Sequence, residues 1–217
     1  MPLLSAKVAA AAMGGLTFFQ FVFSITSLAS TIWANYSDTK NNDKYNFGLW
    51  RGCVTDPTGT EDCFDVPEDA MSSNLGGARF FTVIMFITSL VTFGGAIQTW
   101  RTAAATPYPK VVFFGSVAGA LFALIVVCSF AVWASHDVLS AYPTYQLESK
   151  AGGFVTAVLN LFLFLGSAAV VFFGFGPKGA WGPGVPPEGM PSNMDAAFTG
   201  VAQPAGDAAY YNAEEGH

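Results

Sequence analysis

Charged side chains are scarce in this chain of 217 residues. They make up 11% of the sequence, whereas a typical soluble domain carries about 25%, and hydrophobic residues reach 52%. With 21 Phe and 5 Trp, a water-soluble fold would leave far too much apolar surface exposed. The composition therefore argues against a soluble enzyme domain, and it predicts that membrane lipids surround much of the chain.

Basic residues are also few, and no catalytic or metal-binding pattern accompanies them. Nine Lys and Arg against 15 Asp and Glu give a net charge of -6, which argues against nucleic acid as a partner. The two histidines, His136 and His217, have no Cys, Asp or Glu at the spacing of a zinc site. The sequence also lacks a phosphate-binding loop and a nucleophile elbow. We therefore predict no enzyme activity, no metal and no cofactor.

Four uncharged runs contain most of the hydrophobic residues. They cover residues 8–34, 80–100, 111–134 and 151–176. A helix rises about 1.5 Å per residue and needs about 20 residues to cross the hydrocarbon core, a length that each run reaches. The first run is too long for the hydrophobic region of a cleaved signal peptide. The sequence predicts one domain, residues 1–176, with four transmembrane helices.

The connections between these runs indicate the topology. Residues 101–110 contain two basic residues and no acidic one, which favours the cytoplasm. The loop 35–79 contains Cys53 and Cys63, and a disulfide between them persists only in an oxidising compartment. We therefore place the loops 35–79 and 135–150 outside the cell and both termini in the cytoplasm. Residues 177–217, with 6 Pro and 7 Gly, are predicted to form a disordered cytoplasmic tail.

Three cysteines allow at most one intramolecular disulfide. Residues 56–59, between Cys53 and Cys63, read Asp-Pro-Thr-Gly and match a type I turn, which predicts a hairpin closed by a disulfide. Cys128, inside the third run, is expected to be a small buried residue. Tyr45, Phe47 and Leu49 alternate with polar or small residues. This two-residue period is typical of a strand with one covered face. A small outer sheet is therefore predicted.

Polar and small residues inside the runs predict contacts between helices. Gln20, Gln98 and Asn160 are neutral amides, which hydrogen-bond between helices more often than they mark a transport pathway. Gly115 and Gly119 form a G-x-x-x-G pair that permits the close approach of another helix. We predict that this pair is used within the bundle.

An ordered set of residues surrounds the predicted hairpin. Its members are Trp33, Gly48, Leu49, Trp50, Cys53, Cys63 and Arg79. This order resembles the claudin signature, and residues 1–176 are similar to the superfamily of claudins, peripheral myelin and epithelial membrane proteins, calcium-channel gamma subunits and AMPA-receptor regulatory proteins. The short second outer loop and the glycine-rich fourth span extend the resemblance.

The resemblance implies an all-α membrane protein: a left-handed four-helix transmembrane bundle with a small disulfide-closed extracellular β-sheet. It also implies that Gly48, Leu49 and Trp50 anchor the sheet against the outer ends of the helices and that Arg79 caps this contact. Several claudin features are missing: the chain ends in Glu-Glu-Gly-His and not in a hydrophobic residue that docks into a PDZ scaffold, and no cysteine follows Gly176 for palmitoylation. A PDZ scaffold is therefore not expected as a partner.

Three functions are compatible with this resemblance. The first is a structural role in the plasma membrane, in which the chain associates with itself in cis or trans through its outer loops in cell–cell adhesion, a junction or a paracellular barrier or channel. The second is an auxiliary, regulatory subunit of a larger ion-channel or receptor complex. The third is an organiser of compact membranes, as in the myelin relatives. The fold alone does not choose between them.

Four residues of the outer loop are candidates for a more specific role. Asp56, Asp62 and Asp65 lie near the disulfide and would form a cation-favouring lining if the loop borders a channel between cells. Acidic residues on a loop otherwise form a solvated face. Asn35 begins a glycosylation sequon but stands at the predicted membrane surface, so we expect it to be unmodified.

Overall fold

The computed structural model describes residues 6–66, 72–101 and 107–181. The chain divides into two units, Met1–Val185 and Pro186–His217, and all described residues belong to the first. Most of the predicted tail, residues 182–217, therefore lies outside the described residues.

Four long helices contain most of the apolar residues. They are α1 (Ala6–Ala29), α2 (Ser73–Arg101), α3 (Tyr108–Val132) and α5 (Gly152–Trp181). A π-helical turn, Trp133–Asp137, and the short helix α4, Val138–Ala141, prolong α3. In the described part of the chain these four helices are long and apolar enough to cross a membrane. The predicted four spans of a multi-pass membrane protein are confirmed at this level.

The side chains of the four helices are distributed in the opposite way to those of a soluble bundle. Large apolar side chains point outward: Phe80 is 61% exposed, and Trp100 and Phe162 are each 63% exposed. Small and hydroxylated residues point inward, as Thr82 and Ser89 do on α2. This arrangement is favourable where the surrounding solvent is apolar, because lipid tails solvate the outer side chains.

Five antiparallel strands form a single sheet. They are β1 (Ala34–Asp38), β2 (Lys44–Phe47), β3 (Arg51–Thr55), β4 (Glu61–Asp65) and β5 (Tyr145–Lys150), in the order β4-β3-β2-β1-β5. The first four strands follow one another as a meander, and β5 comes from the segment before α5 to pair with β1. The predicted small sheet is therefore confirmed, with two strands, β1 and β5, that the sequence had not indicated.

A hydrophobic core joins the sheet to the ends of the helices. Its largest buried members are Trp33, Trp133, Tyr36, Phe47 and Phe130. The ring centroids of Trp33 and Phe130 are 4.8 Å apart, and those of Phe130 and Trp133 are 5.3 Å apart. The sheet therefore rests on the end of the bundle at which α1 and α3 end and α5 begins.

The helix boundaries depart from the predicted runs. α1 ends at Ala29, five residues before the end of the run 8–34, because the uncharged residues that follow pass into β1. α2 begins at Ser73, seven residues before the run 80–100, and α5 extends to Trp181, five residues into the predicted tail. An uncharged run does not show where a helix ends and an apolar strand begins. A predicted run also ends at the first charged residue, although a helix can continue past a single charge.

The glycine pair of α3 is used inside the bundle, as predicted. A Cβ atom on Gly115 would lie 2.6 Å from Cγ2 of Thr92 on α2, and one on Gly119 would lie 2.4 Å from the ring of Phe164 on α5. The absence of a Cβ atom at both positions lets α3 pack closely against two neighbouring helices.

Candidate functional site

The β3–β4 hairpin is closed by the predicted disulfide. Cys53 and Cys63 face each other directly in the register of the two strands, and their sulfur atoms are bonded. Cys53 is buried, whereas every residue of β4 is exposed. Cys128 keeps a free thiol and is exposed on α3, so the expectation that it is buried was wrong. Its side chain lies on the apolar outer surface of the bundle, where a small thiol is tolerated.

Reduction of the disulfide is expected to loosen this hairpin and leave the four helices folded. A covalent loop of this kind contributes about 3 kcal/mol by restricting the unfolded chain, and the exposed strand β4 has little packing to replace it. Cleavage after Glu61 by a glutamate-specific protease should increase on reduction, while the thermal unfolding midpoint of the helices changes little. A double Cys53→Ser, Cys63→Ser variant should reproduce this result without reductant. A large drop in the helical midpoint would contradict it.

Asp56 begins the turn of the hairpin and organises it. The amide of Gly59 donates to Asp56 O at 3.0 Å, as expected of the predicted turn. The Asp56 carboxylate accepts hydrogen bonds from the hydroxyl and the amide of Thr58 and from the amide of Thr60, at 2.6, 2.9 and 2.9 Å. The Thr58 hydroxyl first, and then the amide of Thr60, lower the pKa of Asp56 below its ordinary value.

Acidification is therefore expected to open this turn. The ionised Asp56 stabilises the folded hairpin above the pKa that an aspartate has in an unfolded chain, and this contribution disappears as the pH falls through the lowered pKa of the folded state. The protection of the Thr58 and Thr60 amides, taken as their exchange rate relative to the intrinsic rate at the same pH, should fall in that acidic range and stay high near neutral pH. An Asp56→Asn variant should exchange with no such acid transition. Equal pH profiles in both proteins would contradict this prediction.

The other two candidate acids differ from Asp56 and from each other. Asp62 and Asp65 are exposed on β4, three residues apart, so they point to opposite faces of the strand. Asp65 accepts a hydrogen bond from Nε of Arg51 at 3.3 Å, and both side chains are largely exposed. The three acids therefore lie in one hairpin, but their side chains do not share one face of it.

The segment between β2 and β3 anchors the sheet to the helices. A Cβ atom on Gly48 would lie 2.7 Å from the backbone oxygen of Thr31, so only glycine fits where this segment crosses the chain after α1. Leu49 is fully buried and follows the last residue of β2, so it does not belong to the strand that the alternation predicted. Nε1 of Trp50 donates to the backbone oxygen of Leu28 on α1 at 3.0 Å.

Arg79 connects α2 to this segment. Its Nε donates to the backbone oxygen of Leu49, and its guanidinium lies 5.3 Å from the centroid of the Trp50 ring. A cation over an indole face is an attractive arrangement, and it is stronger where water is partly excluded. Through these contacts the segment 48–50 is held against α1 and α2.

Trp33 occupies the space between the sheet and α5. Its amide donates to Phe47 O of β2 at 2.8 Å, and its own carbonyl accepts from the amide of Ala151 at 2.8 Å. Its Nε1 donates to the backbone oxygen of Ser27 at 3.1 Å, and a Cβ atom on Gly153 would lie 2.0 Å from this nitrogen. Trp33 therefore fixes the end of α1, the sheet and the start of α5 to one another.

Sequence reasoning missed strand β5 and its contacts. Tyr145 and Leu147 are half-buried and alternate with the exposed Gln146 and Glu148, a strand signal that was present in the sequence of residues 135–150. The ring of Tyr145 stacks on Tyr45 at 4.6 Å and on Tyr142 at 4.9 Å. Tyr142, 43% exposed, ends this column of three rings at the surface.

Tyr36 connects the sheet to the π-helical turn. Its hydroxyl donates to the backbone oxygen of Ala134 at 2.7 Å, although the residue is fully buried. Burial raises the pKa of Tyr36, so the hydroxyl keeps its proton and remains a donor. This hydrogen bond joins β1 directly to the π-helical turn that follows α3.

Asn35 lies on β1, next to the end of α1. Its Nδ2 donates to Oγ of Ser149 at 3.0 Å, and its Oδ1 has no hydrogen-bond partner among the described residues. Nδ2 is the atom that a glycan would modify, and it is engaged with β5 in this structure. Our expectation that Asn35 is unmodified stays a prediction.

The chain matches no family model of known proteins and no curated protein. What it does is therefore inferred from three features of its own structure. These are the four apolar helices, the disulfide-closed sheet, and the junction of the sheet with the helix ends at Trp33, Trp50 and Arg79.

Proposed function

We propose that this chain is a claudin-like multi-pass protein of the plasma membrane. It acts structurally in cell–cell adhesion, in a junction or in a paracellular barrier or channel, through the loops that form its sheet. In this proposal the bundle is left-handed, the sheet is extracellular and both termini are cytoplasmic. The observation that carries the proposal is a disulfide-closed sheet that is anchored on one end of four apolar helices.

The topology of this proposal is supported by the sheet and by two basic residues. β5 pairs with β1, so both loops that supply strands lie at the same end of the helices. A disulfide at that end is stable in an oxidising compartment, outside the cell. Arg101 in the last turn of α2 and Lys110 in the first turn of α3 lie at the other end, where basic residues favour the cytoplasm.

The sheet offers surfaces suited to association between molecules. Every residue of the edge strand β4 is exposed, and no described strand pairs with its outer edge. At the other edge, the column Tyr45, Tyr145 and Tyr142 ends in an exposed ring. Tyrosine combines a rigid apolar face with a polar hydroxyl, which suits it to protein interfaces.

Adhesion is tested by expressing the full chain in cells that do not aggregate. The protein should concentrate where two expressing cells meet, and the cells should aggregate more than untransfected cells. Tyr142→Ala should reduce aggregation several-fold at equal surface expression, because it removes the exposed end of the tyrosine column. Gln146→Ala, a polar exposed position on β5, is the matched control and should behave as the unmodified chain. Wild-type cells that remain single would refute adhesion.

Native purification separates self-association from the alternative of an auxiliary subunit. In a mild detergent the structural role predicts homo-oligomers without a stoichiometric companion, identified by mass spectrometry and particle size on one sample. A fixed ratio to a larger channel or receptor would instead identify the chain as a regulatory subunit, and would overturn the adhesion proposal.

If the sheet borders a paracellular channel, the two acids of β4 are expected to contribute unequally to cation preference. Asp62→Asn should lower the permeability ratio of cations over anions by about twofold, because Asp62 is exposed on β4. Asp65→Asn should lower it less, since Arg51 already offsets the charge of Asp65, and Arg51→Ala should raise it. Dilution potentials across a cell layer measure this ratio. A ratio equal to that of the wild-type chain in all three variants would remove Asp62 and Asp65 from the channel lining.

A further inference from the structure

A seam of polar side chains runs along the contact between α1 and α5, inside the bundle. It consists of three pairs: Ser27 with Thr156, Ser24 with Asn160, and Gln20 with Ser167. The polar atoms of the pairs are 2.8, 2.6 and 2.7 Å apart, in that order. Thr92 of α2 lies beside the seam: its hydroxyl donates to Ser89 O at 2.9 Å and is 3.4 Å from Oε1 of Gln20. These contacts confirm the predicted role of Gln20 and Asn160 in helix association.

Two oxygen atoms next to this seam lack a protein partner. Oδ1 of Asn160 and Oγ of Ser116 are buried, and neither atom forms a hydrogen bond with any described residue. Both residues are fully buried in the bundle. In a bilayer such a group is strongly unfavourable, because no solvent in the hydrocarbon core satisfies it.

The surroundings of these atoms favour a small neutral ligand. Asn160 donates through Nδ2 to Oγ of Ser24, which leaves the hydroxyl proton of Ser24 to donate to another acceptor. A molecule that accepts this proton and donates to Asn160 Oδ1 satisfies both groups at once. The neighbouring helical positions carry small side chains, such as Ala157 one turn before Asn160.

Ser116 has a similar environment on α3. The next turn on the same face carries Gly119 and Ala120, and the preceding Gly115 approaches Thr92, which lies beside the seam. Every polar group of the seam and of its two neighbours is neutral, so nothing here favours an ion. Water is both donor and acceptor, and buried water commonly bridges polar groups that proteins leave unpaired.

We propose that the bundle binds two ordered water molecules, one at Asn160 Oδ1 and Ser24 Oγ, and one at Ser116 Oγ. The first completes a closed set of hydrogen bonds between α1 and α5. The second brings α3 into the seam beside Thr92, so that polar groups of all four long helices meet there. This arrangement fixes the relative positions of the helices that carry the sheet.

The test is a structure of the full chain in lipid, by crystallography in a lipidic mesophase or by electron microscopy in nanodiscs, at a resolution that shows ordered water. A peak is expected at about 2.7–3.2 Å from Asn160 Oδ1, and another at a similar distance from Ser116 Oγ. Asn160→Leu should remove the first peak and keep the second, and Ser116→Ala should do the reverse. Each variant is therefore the control for the other.

A second measurement needs only the wild-type chain, so it tests the proposal even if the variants fail to fold. Magnetisation transfer from water to the Asn160 side-chain amide, measured by NMR on the wild-type chain in nanodiscs, should be detectable although that amide is inaccessible to bulk solvent. The absence of both peaks from a map that resolves the neighbouring side chains would overturn the proposal. A peak that survives the loss of its own ligand residue would do so as well.

Discussion

Gly153→Ala is expected to lower the stability of the protein more than any other single methyl group added to the start of α5. The added Cβ would lie 2.0 Å from Nε1 and 2.2 Å from Cδ1 of Trp33. Trp33 is fully buried and held by Ser27 O, so its ring has no free direction in which to move. Overpacking of this kind costs about 1–3 kcal/mol, which corresponds to a fall of roughly 2–10 °C in the unfolding midpoint.

The neighbouring glycine provides a matched control. A Cβ on Gly152 would meet only Ile32 O at 3.7 Å and Ser30 Oγ at 3.9 Å, which are ordinary contacts. Gly152→Ala should therefore leave the midpoint unchanged or raise it, since alanine favours a helix more than glycine does. Thermal unfolding of both variants in the same detergent decides the prediction. Equal midpoints would show that Trp33 does not hold the position that the structure gives it.

The long helices were predictable because lipid imposes a simple requirement on sequence. A spanning helix needs about 20 uncharged, mostly apolar residues, and this pattern is visible without knowledge of tertiary contacts. The same requirement explains why the ends were not predictable. Residues 30–34 are uncharged yet leave the helix, because Trp33 and Ala34 pair with Phe47, Ala151 and Lys150 elsewhere in the chain.

The sheet was predictable in part. The turn at Asp56 and the disulfide depend on residues close in sequence, so local patterns were sufficient to identify them. The pairing of β1 with β5 joins residues more than 100 positions apart, and no sequence pattern in β5 predicts that it pairs with β1. The hydrogen bond from Tyr36 to Ala134 and the packing of Gly153 on Trp33 are equally remote in sequence.

The acids illustrate a different limit. Asp56, Asp62 and Asp65 were grouped because they are close in sequence and share a charge. The structure gives each a different environment: Asp56 bonds to its own turn, Asp65 pairs with Arg51, and Asp62 is exposed on the edge strand. Because a strand alternates its faces and a turn supplies amide donors, acids that are neighbours in sequence do not act as one cluster.

Gly48→Ala is expected to displace the sheet while the four helices remain folded. Its Cβ would lie 2.7 Å from Thr31 O, 2.8 Å from Thr31 C and 2.9 Å from Ser30 O. All three atoms belong to the backbone, so no side chain can rotate away, and the segment 48–50 must lift from the end of α1. The contacts of Trp50 with Leu28 and of Leu49 with Arg79 are then lost together.

Limited proteolysis reports this displacement. Cleavage by trypsin after Arg51 should increase several-fold in Gly48→Ala, because the ladder between β2 and β3 loses its support, while the helical content stays constant. Gly76→Ala, near the start of α2, is the control: a Cβ there meets nothing within 4 Å.

If adhesion depends on the position of the sheet, cells that express Gly48→Ala should also aggregate less than cells that express Gly76→Ala at equal surface expression. Faster cleavage with full aggregation would instead mean that the junction of the sheet with the helices is structural, and that the adhesive contact lies elsewhere on the molecule.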